Sequence, residues 1–226
     1  MAETVYPGPV SDLNAVREAT CIHTKKIFDS CHSKDCIEDM RLYPTQSSQP
    51  IIDQALSVKA GRARLLYTLV NVEPMGLNRG FFTVDLRYYY KITCDAFTGC
   101  TRPMQISGLA VFDKRAILFG SESTAKSFSS MTGCPELTED MVLTNDLPTA
   151  VVEAVDPIIL SMRLCNVCER PMCGECALTE VPAAIQAAFD EPISLENNTV
   201  RRIYLSLGQF SILRMERDAH LLIPVY

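Results

Sequence analysis

Apolar and polar residues alternate along residues 82–94. Phe82, Val84, Leu86, Tyr88, Tyr90, Ile92 and Cys94 fall on one side, and Thr83, Asp85, Arg87, Tyr89, Lys91 and Thr93 on the other. A period of two marks a strand with one buried face. It predicts an inward Cys94, followed by a turn over residues 95–99 that leads to Cys100. Residues 63–72 are apolar on both faces and predict a central strand covered on both sides. Residues 104–119 change phase at Ser107-Gly108, which predicts a bulge or bend. Residues 151–165 carry Ile158, Leu160, Met162 and Leu164 on one face, with Pro157 marking an edge or a bulge. Ile203, Leu205 and Leu207 alternate before Gly208 shifts the phase to Phe210 and Ile212. A last strand is predicted over residues 220–226, free to pair within its own sheet or with a neighbour.

Helical patterns are short. Residues 182–189 have Pro182 in the first turn and Val181, Ile185, Ala188 and Phe189 on one side. Ser33 is placed to cap a turn carrying Cys36, Ile37 and Met40, and residues 50–56 and 121–128 are further one- or two-turn candidates. Many long strands, few helices and scattered prolines predict a mainly β fold: an antiparallel β-sandwich with a few short helices and a cysteine-rich loop at 165–177. No Gly- or Pro-rich linker divides the chain. The expected organisation is an extended N-terminal arm, residues 1–17, and one sandwich domain, residues 18–226.

At 226 residues the chain buries enough surface to fold without covalent staples. Its ten cysteines therefore point to a site, or to links made after folding. Pro7 and Pro9 stand where a secretory core would run, and no stretch approaches the roughly 18 apolar residues of a membrane helix. The expectation is a chain made in a cytoplasm without a leader and without a membrane partner. A net charge of −6 argues against a nucleic-acid partner. The arginines Arg201, Arg202, Arg214 and Arg217 read as residues on the wet face of a sheet.

The run Cys165-x2-Cys168-x4-Cys173-x2-Cys176 resembles two metal-binding pairs. Four thiolates satisfy a tetrahedral zinc, but common zinc modules leave about 12–20 residues between their pairs. Four residues make a cramped cage, so the expectation is an exposed loop that oxidises, with no metal or cofactor. A zinc or redox module built on these four cysteines is the alternative. Cys21, Cys31 and Cys36, with His23 and His32 nearby, read as a disulfide pinning the first strand to the following turn, or as a mixed Cys/His zinc site. Cys100 and Cys134 complete the cross-link candidates. His23, His32 and His220 leave few triads, His220 reads as a ladder residue, and no nucleophile elbow, phosphate loop or dinucleotide fingerprint is present. Asp95, Asp113, Glu153 and Asp156 lack the spacing of a calcium site. No enzyme is expected.

The segment Arg17-Glu-Ala-Thr-Cys-Ile-His-Thr-Lys-Lys-Ile-Phe-Asp-Ser-Cys31, followed by Lys34-Asp-Cys36-Ile-Glu-Asp39, resembles a family from clostridial spore-formers. So do Asn78-Arg-Gly-Phe-Phe-Thr-Val-Asp85, the stretch from Phe112-Asp-Lys to Phe119-Gly-Ser-Glu122, and residues 205–225 with Gly208-Gln-Phe-Ser-Ile and Arg214-Met-Glu-Arg-Asp218. The family is similar to the cysteine-rich exosporium protein that forms two-dimensional crystalline layers. The resemblance places recurrent cysteines at Cys21, Cys31 and Cys36 and a variable cysteine-rich insert at residues 165–176. It implies a self-assembling structural protein of the spore surface, a layer or filament subunit reinforced by disulfides. Its partners would be copies of itself and other spore-surface proteins. Such a protein is made in the mother-cell cytoplasm and oxidised when that cell lyses.

Overall fold

The computed structural model describes residues 18–99, 102–122, 147–167, 178–196 and 199–225. The chain runs β1 (Glu18–Arg41), β2 (Tyr43–Pro44), α1 (Ser48–Gln54), β3 (Ser57–Pro74), β4 (Phe81–Phe97), β5 (Met104–Phe119), β6 (Thr149–Ala154), β7 (Ile158–Asn166), α2 (Ala183–Gln186) and β8 (Arg201–Val225). Two antiparallel sheets result. One has the order β1-β8-β6, with β7 also paired to β8; the other has the order β2-β5-β4-β3.

The strict alternation over residues 82–94 is the inner face of β4. Phe82, Val84, Leu86, Tyr88, Tyr90, Ile92, Cys94 and Ala96 are all buried, so Cys94 points inward as its phase requires. The strand continues through Asp95 to Phe97 before turning, further than the predicted turn allowed. Opposite it lie Ile203, Leu205, Leu207, Leu213 and Met215 of β8, with Ile37 and Met40 of β1, in one core shared by both sheets. That arrangement is a β-sandwich. One flank is joined where Lys114 of β5 meets Asp35 of β1 at 2.5 Å and Phe119 N–H donates to Asp29 Oδ2 at 3.0 Å. On the other flank β3 lies beside β6 and β7, and Leu65 N–H donates to Asp156 Oδ1 at 2.9 Å. A second, smaller apolar cluster forms on the outside of the β2–β5 sheet, where Ile185, Phe189 and Ile193 cover Tyr43, Tyr89 and Leu109.

Several sequence readings are corrected. Residues 63–72 belong to β3, which is an edge strand and not a central one. A bulge between Leu65 and Tyr67 swaps the faces and leaves Tyr67 and Leu69 exposed, which is why both faces read as apolar. The turn expected after Ser33 is extended strand. A bulge between Ile37 and Met40, with Asp39 at φ 52, turns both residues inward and mimics helical spacing.

Residues 151–165 form two strands, β6 and β7. A bulge between Ile159 and Ser161 leaves Ile158 and Leu160 exposed, while Ile159, Met162 and Leu164 pack on the core.

Gly208 does not shift the phase of β8. Gln209 and Ser211 take inward positions, and Phe210 faces out. Gln209 Nε2 donates to the carbonyls of Val155 (2.9 Å) and Phe210 (2.7 Å), which satisfies the donor side of an amide standing where an apolar residue is expected. Its Oε1 is buried with no partner among the described residues. No bulge interrupts the β4–β5 register at Ser107-Gly108. Glycine is needed there because a Cβ would lie 2.6 Å from the Tyr43 carbonyl oxygen, where β2 closes on β5. Residues 220–225 are the far end of β8, not a separate strand.

Of the helices, α1 and α2 correspond to the segments predicted at 50–56 and 182–189, and both are short. The candidate at 121–128 lies mostly outside the described residues, and Ser121 and Glu122 are not helical. The arm at 1–17 lies outside them altogether.

Candidate functional site

The feature that stands apart from the sandwich is where the two longest strands leave it. β1 and β8 stay paired from Arg41↔Tyr204 out to Glu18↔Val225. The opposing sheet stops short of that. Arg217 marks the boundary: its guanidinium donates to the carbonyls of Gly120 (2.6 Å) and Ser121 (3.1 Å) and lies over the Phe82 ring. β6 covers the other edge of β8 only from Ser211 to Glu216. From Arg217 outward, β8 has β1 as its sole strand neighbour among the described residues. The result is a two-stranded ribbon projecting about 27 Å at the ordinary strand rise.

Alternation assigns its two faces. Arg217 faces the opposing sheet, so Ala219, Leu221 and Ile223, with Thr20, Ile22 and Thr24 across from them, continue the core-lining face beyond the end of the core. Leu221 and Ile223 remain 46% and 42% exposed there. The outer face carries the cross-strand pairs Cys21↔Leu222, His23↔His220 and Lys25↔Asp218, with Leu222 at 74% exposure. An isolated two-stranded ribbon is marginal in water, because it buries too little side-chain surface to offset the ordering of its backbone. Among the described residues no further strand pairs with either of its edges.

The cysteines are dispersed by the same strand. Cys21, Cys31 and Cys36 all lie on β1, about 33 Å and 16 Å apart along the strand axis. A disulfide needs Cα atoms within about 7 Å, so no bond joins any two of these three, and they cannot share a metal ion within one chain. Both sequence readings of that cluster are thereby corrected. Cys21 and Cys36 are exposed, Cys31 packs partly against the core, Cys94 is buried, and Cys165 is half-buried near the end of β7; none of the five is in a disulfide. Cys100, Cys134, Cys168, Cys173 and Cys176 lie outside the described residues. Burial pushes the Cys94 thiol up to about 12, and the carboxylate of Asp95 adds to the shift. Only thiolate reacts. In the native, reduced protein, iodoacetamide should therefore modify Cys21 and Cys36 at least about a hundredfold faster than Cys94, which must wait for the fold to open. Peptide mapping by mass spectrometry reads this directly, and equal labelling of Cys94 and Cys21 would contradict the packing of β4.

The remaining sequence candidates are occupied by the fold. Arg214 pairs with Glu153 and Glu216, Arg201 donates to Asn166 Oδ1 at 3.1 Å, and Arg217 closes the sandwich end as described. Asp113 holds Arg87 at 2.6 Å. Asp85 holds Arg115 at 2.6 Å, and the hydrogen bond from that guanidinium keeps the Asp85 carboxyl below the usual carboxylate range. Asp156 caps the β3 edge. Among the described residues no group of three or more His, Cys, Asp or Glu is placed to hold a metal ion, and no helix is long and apolar enough to cross a membrane. Comparison with family models, with curated proteins and with solved structures returns no match.

Sequence reasoning missed the ribbon, since its strands come from opposite ends of the chain. The signal present was the run of apolar residues Leu221, Leu222 and Ile223 close to a cysteine-bearing strand.

Proposed function

We propose that this chain is a structural, self-assembling subunit whose projecting β1–β8 ribbon is received by other copies of the same chain. The carrying observation is that ribbon: two strands with open edges and an apolar inner face that nothing among the described residues covers. A second copy is the occupant with matching chemistry. An antiparallel ribbon can pair edge to edge with its own two-fold mate, so the same backbone groups serve as donors and acceptors on both sides. The apolar inner faces are likewise self-complementary. Cys21 on the outer face is exposed and out of reach of the other described cysteines on its strand, which suits it to a bond between chains once packing has set the distance. The spore surface, implied by the family resemblance, is the setting we assign to this assembly, with disulfides forming after release from the mother cell.

Electron microscopy and sedimentation of the purified chain test the reading. Ordered oligomers are expected from the wild type, and Leu221→Asp with Ile223→Asp should return it to monomer with its fold intact, since both residues are exposed in one chain. Cys21→Ser should still assemble but lose resistance to denaturant under oxidising conditions. A chain that stays monomeric at every concentration tried, oxidised or reduced, overturns the proposal.

A further inference from the structure

On the outer face of the ribbon, His23 and His220 stand directly opposite each other, with ring centres 5.2 Å apart and planes at 52°. Nothing in the sandwich explains two imidazoles there: both are exposed, and neither supports the core. Their spacing does have a chemical meaning. With Zn–N bonds of about 2.0–2.1 Å and each ring centre about 1.1 Å behind its nitrogen, two imidazoles on one tetrahedral ion have centres about 5.1–5.3 Å apart. The cross-strand pairing of His23 with His220 holds their backbones about 4.5–5.5 Å apart, so both rings can turn toward one ion by side-chain rotation with no movement of backbone.

We propose that His23 and His220 form one half of a binding site for a divalent transition-metal ion, completed by the same two histidines of a second copy. Four neutral imidazoles at a two-fold axis satisfy a tetrahedral zinc. The second copy is required because one chain falls short. Among the described residues no third His, Cys, Asp or Glu joins this pair as a metal group. Asp218, on the same face, has its carboxylate 3.9 Å from His23 Nε2 and adds negative charge beside the cation without reaching the ring by a hydrogen bond. The nearby Lys25 ammonium is drawn to Glu216, at 3.9 Å. Cys21 stands one cross-strand pair further out, opposite Leu222. The ion would bring two ribbons together outer face to outer face, leaving the apolar inner faces and the open edges for other contacts. The idea rests on the assembly reading only in needing a second copy, and it adds a reversible, metal-controlled contact to one otherwise made by packing and disulfides.

The test uses the full chain, reduced, with zinc chloride as the probe. Metal content and sedimentation are compared for wild type, His23→Ala, His220→Ala, and a variant with Cys165, Cys168, Cys173 and Cys176 changed to Ser. The expected result is a zinc-dependent rise in mass to at least twice that of the species present in chelator, with one zinc per two chains. That zinc should be lost in both histidine variants and kept in the cysteine variant. Cobalt(II) in place of zinc should give tetrahedral visible bands without thiolate charge-transfer absorption in the cysteine variant. Histidine variants that keep the same zinc and the same association, or one zinc bound per chain with no association, would overturn the proposal. Sedimentation in a chelator separates the two ideas. Oligomers that persist there keep the assembly reading alive whatever zinc does, while monomers there that double with zinc count for the metal contact alone.

Discussion

Replacing Tyr88 by alanine is expected to lower the stability of the sandwich by about 3–5 kcal/mol, the range for truncating a large buried aromatic. Tyr88 is 0% exposed at the middle of β4. Its ring stacks on Tyr90 at 6.2 Å with planes 4° apart and on Phe112 at 6.0 Å, and its hydroxyl reaches toward Ser211 of the facing sheet at 3.4 Å. Truncation leaves a void lined by both sheets, where close packing gives little freedom to collapse. The hydroxyl itself matters much less, because 3.4 Å is long for an O–H donor. Tyr88→Phe should therefore cost under about 1 kcal/mol. Tyr90→Phe gives a sharper comparison: its buried hydroxyl has no hydrogen-bond partner among the described residues, so removing it should be neutral or stabilising. Urea unfolding of the three variants measures these differences. A Tyr88→Ala cost no larger than that of Tyr88→Phe would show that the two sheets do not close over this ring.

Stability should also fall steeply in alkali. Cys94, Tyr88 and Tyr90 are buried, and desolvation raises all three above their ordinary values of 9.0 for the thiol and 10.0 for the phenols. The unfolded chain then gives up these protons at a pH where the folded chain still holds them, so the folded state loses ground as pH rises. The Cys94 contribution is fully present below 9.0 and is lost as pH climbs to about 12. Each pH unit inside that window costs about 1.4 kcal/mol, on the order of 4 kcal/mol in all. The tyrosines join only above 10.0. Denaturant unfolding from about pH 8 to about pH 11 should show a slope that begins at the thiol's ordinary value, and Cys94→Ala should delay that onset by about one unit. A wild-type curve that stays flat across this range would mean that Cys94 is hydrated in the fold.

How much of this was legible in the sequence differs from strand to strand. The inner face of β4 could be read residue by residue from Phe82 to Cys94 because every inward position there is apolar and nothing interrupts its period, while the end of the strand at Phe97 could not. The phase of β8 beyond Gly208 is hidden in the sequence because Gln209 and Ser211 occupy core positions, and the Val155 carbonyl that receives the Gln209 amide is brought near only by the fold. β3 looked central because one extra residue at Leu66 moved its apolar side chains from one face to the other. The cysteines of β1 looked like a cluster because sequence spacing says nothing of extension. A turn would have gathered Cys21, Cys31 and Cys36, and a straight strand spreads them over nearly 50 Å at about 3.3 Å per residue.

By itself the sequence determined that this is a mainly β protein, where most of its strands run, and that Cys94 faces the core. Those properties follow from the local period of two and from the cost of leaving apolar faces wet. Only the tertiary structure decided that β1 pairs with β8, that the pair outruns the sheet beneath it, and that His23 meets His220. Strand partners and bulge positions are settled by contacts between residues far apart in the chain, where the packing of the whole core selects one register among many that each strand alone would accept.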